Sequence, residues 1–488
     1  MSFCAECGAP NSLDDAYCAG CGRPLSVGGS RPTIARTEIP IVATATSGSR
    51  TRMRVRKIPK SGIVLGIVVV VVVVGFGYVR WNGSADTNEG APSTTSSISP
   101  ITTTSSTSPI TTTISQVTFM PAQAGGTGQD GGFGVSVTPD GGAIVTGEFG
   151  GTATFGSATL TSNGSKNDVF VGKISATGVW EWATQAGGTG LDGGFGVSVT
   201  SDGGAIVTGG FRDMATFGSA TLTGNVELDV FVGKISAAGV WEWVIQAGGT
   251  GWDVGYDVSV TSDDGAIVAG YFSGTARFGS TKMTSNGARD AFLGKISAAG
   301  EWEWVTQAGG TGRDGGFGVS VTSDGGAIVT GEFGGTATFG STKMTSNGEL
   351  DVFVGKISAA GVWEWATQAG GTELIDGGGV SVTSDGGAIV SGVFAGTATV
   401  GSATLTSNGR KNDVFVGKIS ATGVWEWATQ AGGTGLDGGF GVSATSDGGA
   451  IVTGEFGGTA TFGSTILTSN GAKDVFVGKI SAAGVWGS

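Results

Sequence analysis

From residue 117 onward, hydrophobic positions fall in short runs of β-branched and aromatic residues separated by glycine, serine, asparagine and aspartate. The runs recur in one order, "FGVSVT", "GAIVTGEF", "DVFVGKIS" and "VWEWATQ", and each has the length of a strand. Turn chemistry separates them: "SDGG" after the first, "SNG" in a longer second connection, "SATG" or "SAAG" after the third, and "GGTG" after the fourth. Alignment on "QAGG" gives unit starts at Gln123, Gln185, Gln246, Gln307, Gln368 and Gln430, so six units of 61 or 62 residues fill the C-terminal part. Four short strands per unit, repeated six times, predict an all-β fold over residues 117–488, a six-bladed β-propeller of four-stranded blades. The period is longer than the ~40 to 45 residues of a WD40 blade. The surplus, "GGTATFGSATLTSNG", predicts an extra arm or hairpin between the second and third strands.

The ends of the array bear on closure. The last unit stops at "VWGS", short of its fourth strand, while "VTFMPAQ" at 117–123 aligns with "VWEWATQ". The N-terminal segment is therefore expected to close the ring as the outer strand of the sixth blade, pairing with "DVFVGKI" at 474–480. An open solenoid is the rival arrangement.

Three segments with different patterning precede the repeats. In residues 1–25, Cys4 and Cys7 stand two residues apart, as do Cys18 and Cys21, with ten residues between the pairs. Each CxxC knuckle turns two thiolates toward one point, and two knuckles complete the tetrahedral sulfur shell that one structural Zn²⁺ prefers. Two disulfides are the alternative, and they require an oxidising compartment. A basic linker at 26–61 leads to residues 62–79, an uncharged and mostly apolar run that as a helix spans about 27 Å, enough for one transmembrane pass. Arg50, Arg52, Arg54, Arg56, Lys57 and Lys60 precede this run and Arg80 alone follows it closely. The positive-inside rule then predicts a cytoplasmic N-terminus and an extracytoplasmic C-terminal domain at the cell membrane. A signal peptide fits less well, because its charged leader would be some 60 residues long. Residues 80–116, rich in Ser, Thr and spaced Pro, predict an extended stalk that cannot bury a core.

The N-terminal segment resembles the zinc-ribbon domain at the start of many bacterial membrane proteins, a likeness carried by the doubled CxxC. The repeats resemble the bacterial beta-propeller repeat family (SBBP repeats), whose units also run "DVFVxKI", "WxxQxGG" and "DGGxxVTGxF". That resemblance implies an exported propeller, and it transfers no catalytic residues. The family's name implies seven blades, whereas this chain offers six.

Composition and charge narrow the functional classes. The chain has 488 residues, 96 of them glycine, and a formal charge of −13. Residues 1–80 carry ten Lys/Arg against four Asp/Glu, and residues 81–488 carry sixteen against thirty-five. The resulting −19 on the C-terminal part argues against nucleic acid as its partner. The sequence has no histidine, and all four cysteines lie in the first 21 residues. Ser-His, Cys-His and histidine-metal arrangements are therefore absent from the repeats. The recurrent Trp180/Trp182 pair suits blade-to-blade packing better than a sugar-binding cleft, and Lys173 and Glu181 are placed to pair across strands. Asp140 and its counterparts suit turn hydrogen bonding.

No unique cluster of reactive residues stands out, so an enzyme is not expected. Variation instead concentrates after "GGTG", where Gln129, Leu191, Trp252, Arg313, Leu374 and Leu436 occupy one position, and after "SNG". In a four-stranded blade these two connections emerge on one rim. A fixed scaffold with one variable rim is how a recognition surface is built, and an extracellular protein or glycan is the expected ligand. The rival functions are an exterior carbohydrate-active enzyme using Asp/Glu and a transmembrane signalling or sensor protein.

Overall fold

The computed structural model describes residues 121–487 apart from 374 and 409–410, together with Ser2–Phe3 and Pro10–Asn11. The four cysteines, the basic linker, the apolar run at 62–79 and most of the stalk lie outside the described residues. Among the described residues no helix is long and apolar enough to cross a membrane. The chain divides into two compact units, Met1–Ile63 and Val64–Ser488. In the first, Ser2–Phe3 and Pro10–Asn11 pair antiparallel on either side of the first CxxC.

The second unit is all-β, antiparallel and repetitive in the manner of a β-propeller. The second repeat shows the pattern. Gly193–Val199 pairs with Ala205–Phe211, that strand with Asp229–Ile235, and that strand with Trp241–Gly249. These are the four runs read from the sequence. The surplus segment forms a hairpin, as expected, but it joins a different sheet. Thr275–Phe278 and Thr281–Thr284 of the third repeat extend the sheet of the second, through pairing of Ala276–Phe278 with Ala247–Gly249. A blade therefore has six strands rather than four, the last two supplied by the next repeat.

The "QAGG" motif explains this hand-over. A Cβ on Gly188 would lie 1.7 Å from the Met214 carbonyl oxygen of the arriving hairpin, so the second glycine lets that backbone approach. Among the described residues five such six-stranded sheets form. Two three-stranded sheets flank them: Ala124–Gly126 with Thr152–Phe155 and Ala158–Thr161, and Gly438–Ala444 with Ala450–Phe456 and Asp474–Ile480.

The core lies between blades rather than within them. Ile144, Val169 and Val171 of the first repeat, with Ala186 on the strand that leads out of it, pack against Val197, Val207, Phe211, Phe217, Phe231 and Trp241 of the second. Phe217, on the hairpin, meets Phe231 at 4.8 Å and Trp241 edge-on at 5.2 Å between centroids. Three buried phenylalanines of this kind contribute roughly 5 to 9 kcal/mol gross per junction. The second tryptophan of each pair crosses to the next blade: Trp182 Nε1 donates to Ala237 O at 3.0 Å and Trp243 Nε1 to Ala298 O at 3.2 Å. Both rings serve packing, which leaves no aromatic cleft at the Trp-Glu-Trp motif.

Closure by residues 117–123 is not seen. Residues 117–120 lie outside the described residues, and 121–123 form no strand. The outer edge of Asp474–Ile480 carries an isolated bridge from Ile480 to Trp486.

Candidate functional site

The two variable connections meet on one rim, tied by their backbones. Asp192 N donates to Asn167 O, Asp253 N to Leu228 O and Asp314 N to Arg289 O, at 2.8 to 3.0 Å. Behind each tie sits a buried aspartate that anchors the loop. Asp253 accepts hydrogen bonds from Gly249 N at 2.7 Å and Ser273 N at 3.0 Å, and Asp314 accepts from Gly310 N and Gly334 N. A second buried aspartate faces it across the first glycine of the motif. A Cβ on Gly187, at φ +149°, would lie 2.6 Å from the Asp168 carboxyl carbon and 2.9 Å from Asp192 Oδ2. The opposite face is uniform: Lys173 bridges Asp140 at 2.7 Å and Glu181 at 3.1 Å, and Lys234, Lys295, Lys356 and Lys418 repeat the arrangement.

These carboxylates set the acid response. Burial pushes Asp168, Asp192, Asp229 and Asp413 up to about 6, and Asp253 and Asp314 up to about 7. Hydrogen bonds from their lysines and threonines hold the turn aspartates low, Asp202, Asp263 and Asp324 at about 2. Between about pH 4 and 7 the folded state keeps protons on the raised aspartates that the unfolded chain has released, so stability falls as pH rises through that window. The turn aspartates act below it: their contribution is present above about pH 4 and is lost toward pH 2, and exposure of the pairs makes it modest. The domain should therefore melt higher at pH 5 than at pH 8, and Asp253→Asn should narrow the difference. A melting temperature that rises from pH 5 to pH 8 would contradict this.

Symmetry fails at several points, among them the Arg212–Glu227 and Lys473–Glu455 ion pairs, and the departures gather most densely in one region. On the innermost strands Phe133, Phe195, Tyr256 and Phe317 form a continuous series, with ring centroids 5.4, 5.6 and 4.9 Å apart. The next position is Gly378, and the series resumes at Phe440, which is exposed. In the same repeat Ile375 takes the place of the anchoring aspartate and Asp376 follows it, one position displaced. Beside this gap, Arg289 and Arg313 both reach Glu332, whose side chain is only 3% exposed. The Arg289 guanidinium lies 4.1 Å from the Tyr271 ring centroid and 5.9 Å from that of Phe317. Burial and the Glu332 carboxylate push Asp376 well above the usual carboxylate range, while Arg289 and Arg313 pull it down. Arg289 Nε and one Asp376 oxygen are buried without a hydrogen-bond partner.

Of the rim residues read from the sequence, the fold brings two to this region. Arg313 joins the cluster, and Trp252 packs beside Leu228, Val254 and Tyr271. Gln129, Leu191 and Leu436 are exposed on other blades, and Leu374 lies outside the described residues. Glu332 occupies a repeat position that is also glutamate in Glu148 and Glu455 and is held by Gly210, Tyr271 and Val393 elsewhere, while Arg289 stands where Asn167, Leu228, Leu350, Asn412 and Lys473 stand. The departures at Tyr271, Arg289 and Asp376 are visible in the sequence, but their convergence on Glu332 depends on three repeats packing side by side. Guanidinium groups, carboxylates and aromatic faces together suit hydrogen bonding and stacking with a polar ligand.

No family model matches the chain, and no curated protein matches it. Solved structures with partial similarity include a protein of unknown function from Bacteroides caccae, at 8% identity over 62% of this chain and 82% of that one, TM-score 0.32. Others are the calcium-binding protein regucalcin from Agrobacterium tumefaciens, 10% identical over 66% of this chain and 81% of its own, TM-score 0.30, and NanB sialidase from Streptococcus pneumoniae, 10% identical over 72% and 68%, TM-score 0.38. The likeness to the bacterial repeat family therefore rests on the motifs quoted above.

Proposed function

We propose that this chain is a membrane-anchored, extracytoplasmic binding scaffold. Its six repeats make a propeller-like array of blades, the sixth of which is completed by an N-terminal half-blade, and it recognises a protein or glycan on the rim above the third to fifth repeats. Residues 62–79 form the single membrane pass. Cys4, Cys7, Cys18 and Cys21 hold one structural Zn²⁺ on the cytosolic side. For these segments the support is the sequence pattern described above.

The observation that carries the binding role is the cluster of Tyr271, Arg289, Arg313, Glu332 and Asp376, placed where departures from the repeat pattern gather on the variable rim. Uniform repeats satisfy packing, and packing has no need of a unique charged network. A glycan and protein array probed with the purified chain should identify a ligand, and Trp252→Ala and Arg313→Ala should each weaken its binding about tenfold or more. Leu191→Ala and Leu436→Ala should leave it unchanged. Equal binding by all four variants would remove the site from this face.

The two neighbouring carboxyls, Glu332 and Asp376, favour one alternative, an exterior carbohydrate-active enzyme. Polysaccharide cleavage by the wild type that is abolished in both Glu332→Gln and Asp376→Asn would replace the scaffold reading.

A further inference from the structure

The two three-stranded sheets are complementary halves of one blade. Gly438–Ala444, Ala450–Phe456 and Asp474–Ile480 supply strands one to three and lack the fourth strand and the borrowed hairpin. Ala124–Gly126, Thr152–Phe155 and Ala158–Thr161 supply the end of a fourth strand and that hairpin, and lack the first three. In all five complete blades the missing link is the same ladder: Val169 pairs with Ala186, Val230 with Ala247, Ala291 with Ala308, Val352 with Ala369 and Val414 with Ala431. At the ends, Val475 lacks its alanine and Ala124 lacks its valine.

The apolar faces tell the same story. Val197, Val258, Val319 and Val380 are 3 to 8% exposed at the internal junctions, whereas their counterpart Val135 is 44% exposed. On the other side Val169, Val230, Val352 and Val414 are fully buried, and their counterpart Val475 is 38% exposed. Each internal junction is also tied by a serine. Val199 N donates to Ser136 Oγ, Val260 N to Ser198 Oγ, Val321 N to Ser259 Oγ, Val382 N to Ser320 Oγ and Ala444 N to Ser381 Oγ, at 3.0 to 3.1 Å. The sixth member of that series joins Val137 N to Ser443 Oγ, and within the chain it is not made; both residues are exposed. The two ends are thus opposite halves of an interface that the molecule builds five times, and they do not meet each other.

We propose that this interface is completed between two copies of the chain, head to tail. The half-blade at 438–480 of one copy receives the half-blade at 124–161 of the next, by the same step that relates adjacent repeats. Such a contact is heterologous: it uses two different faces, so it extends or closes into a ring according to the step.

Full-length chains carrying two different affinity tags test this by pairwise capture. Wild type should capture wild type. Val135→Lys blocks one face and Val475→Lys the other, each placing a charge where the junction must be dry. Neither variant should capture itself, with yield down at least tenfold, yet Val135→Lys should capture Val475→Lys, because that pair retains one intact face on each side. Both substitutions are at exposed positions and should leave the melting temperature of the chain unchanged. Capture in every pairing, or in none, would overturn the proposal. A marked fall in melting temperature with both variants, without capture, would show instead that one chain closes on itself.

Discussion

Glu332→Gln should destabilise the repeat domain by about 3 kcal/mol or more, because it leaves the half-stacked Arg289 guanidinium without its buried counter-charge. Glu332 is enclosed at 3% exposure and is the shared acceptor of Arg289 and Arg313, so neither water nor a neighbouring backbone group replaces it at once. The repeats themselves suggest the repair. Leucine stands at the Arg289 position in Leu228 and Leu350, and valine stands at the Glu332 position in Val393. Leu228 there packs in an apolar cluster with Val254 and Tyr271. The double variant Arg289→Leu/Glu332→Val should therefore recover to within about 1 kcal/mol of the wild type, since a buried ion pair exchanged for fitted apolar groups is close to neutral in stability. Guanidinium-induced unfolding monitored by tryptophan fluorescence measures both. A loss under about 1 kcal/mol for the single variant would mean that the carboxylate is solvated and the network is a surface feature. Recovery of stability with loss of ligand binding in the double variant would separate the network's recognition role from its structural one.

Deleting residues 117–126 from the full chain should lower the melting temperature and promote aggregation, while deleting stalk residues 82–112 should change neither. The short N-terminal strand pairs Ala124 with Phe155, Gly125 with Thr154 and Gly126 with Ala153, and the Gln123 carbonyl accepts the Trp180 indole N–H at 3.1 Å. Ala124 also covers a cluster of Val145, Phe149, Phe155 and Phe170. Removing the segment strips one edge of the Thr152–Phe155 hairpin, an unpaired strand beside aromatic surface, which is a template for association. The lost ladder and indole bonds amount to about 2 to 4 kcal/mol at about 1 kcal/mol each. Thermal melting with light scattering reports both effects. Equal melting of the two deletions would show that the first hairpin stands without the N-terminal segment, and the half-blade would then have no structural role.

The repeat is what made the fold legible. "DVFVGKI" and "GAIVTGEF" can form only short strands between turn residues, and six copies of one supersecondary unit must pack copy on copy, because one unit has too little apolar surface to cover itself. Sequence spacing alone therefore determined the all-β class, the four principal strands, the turn role of Asp140, the pairing of Lys173 with Glu181, and the shared rim of the two variable connections. The tertiary structure decided which sheet each hairpin joins. The pattern of "TATFGSATLT" is the same whether it folds back on its own blade or onto the one before, and only the approach permitted at Gly188 selects the latter. It also decided the cluster. Arg289, Glu332 and Asp376 lie in three repeats, 43 and 44 residues apart along the chain; Arg289 and Asp376 each read as an isolated departure, and Glu332 as an ordinary copy of the motif, until side-by-side blades bring them together. Strand formation depends on neighbours in sequence, which a single chain displays; a buried charge network depends on neighbours in space, which only packing creates.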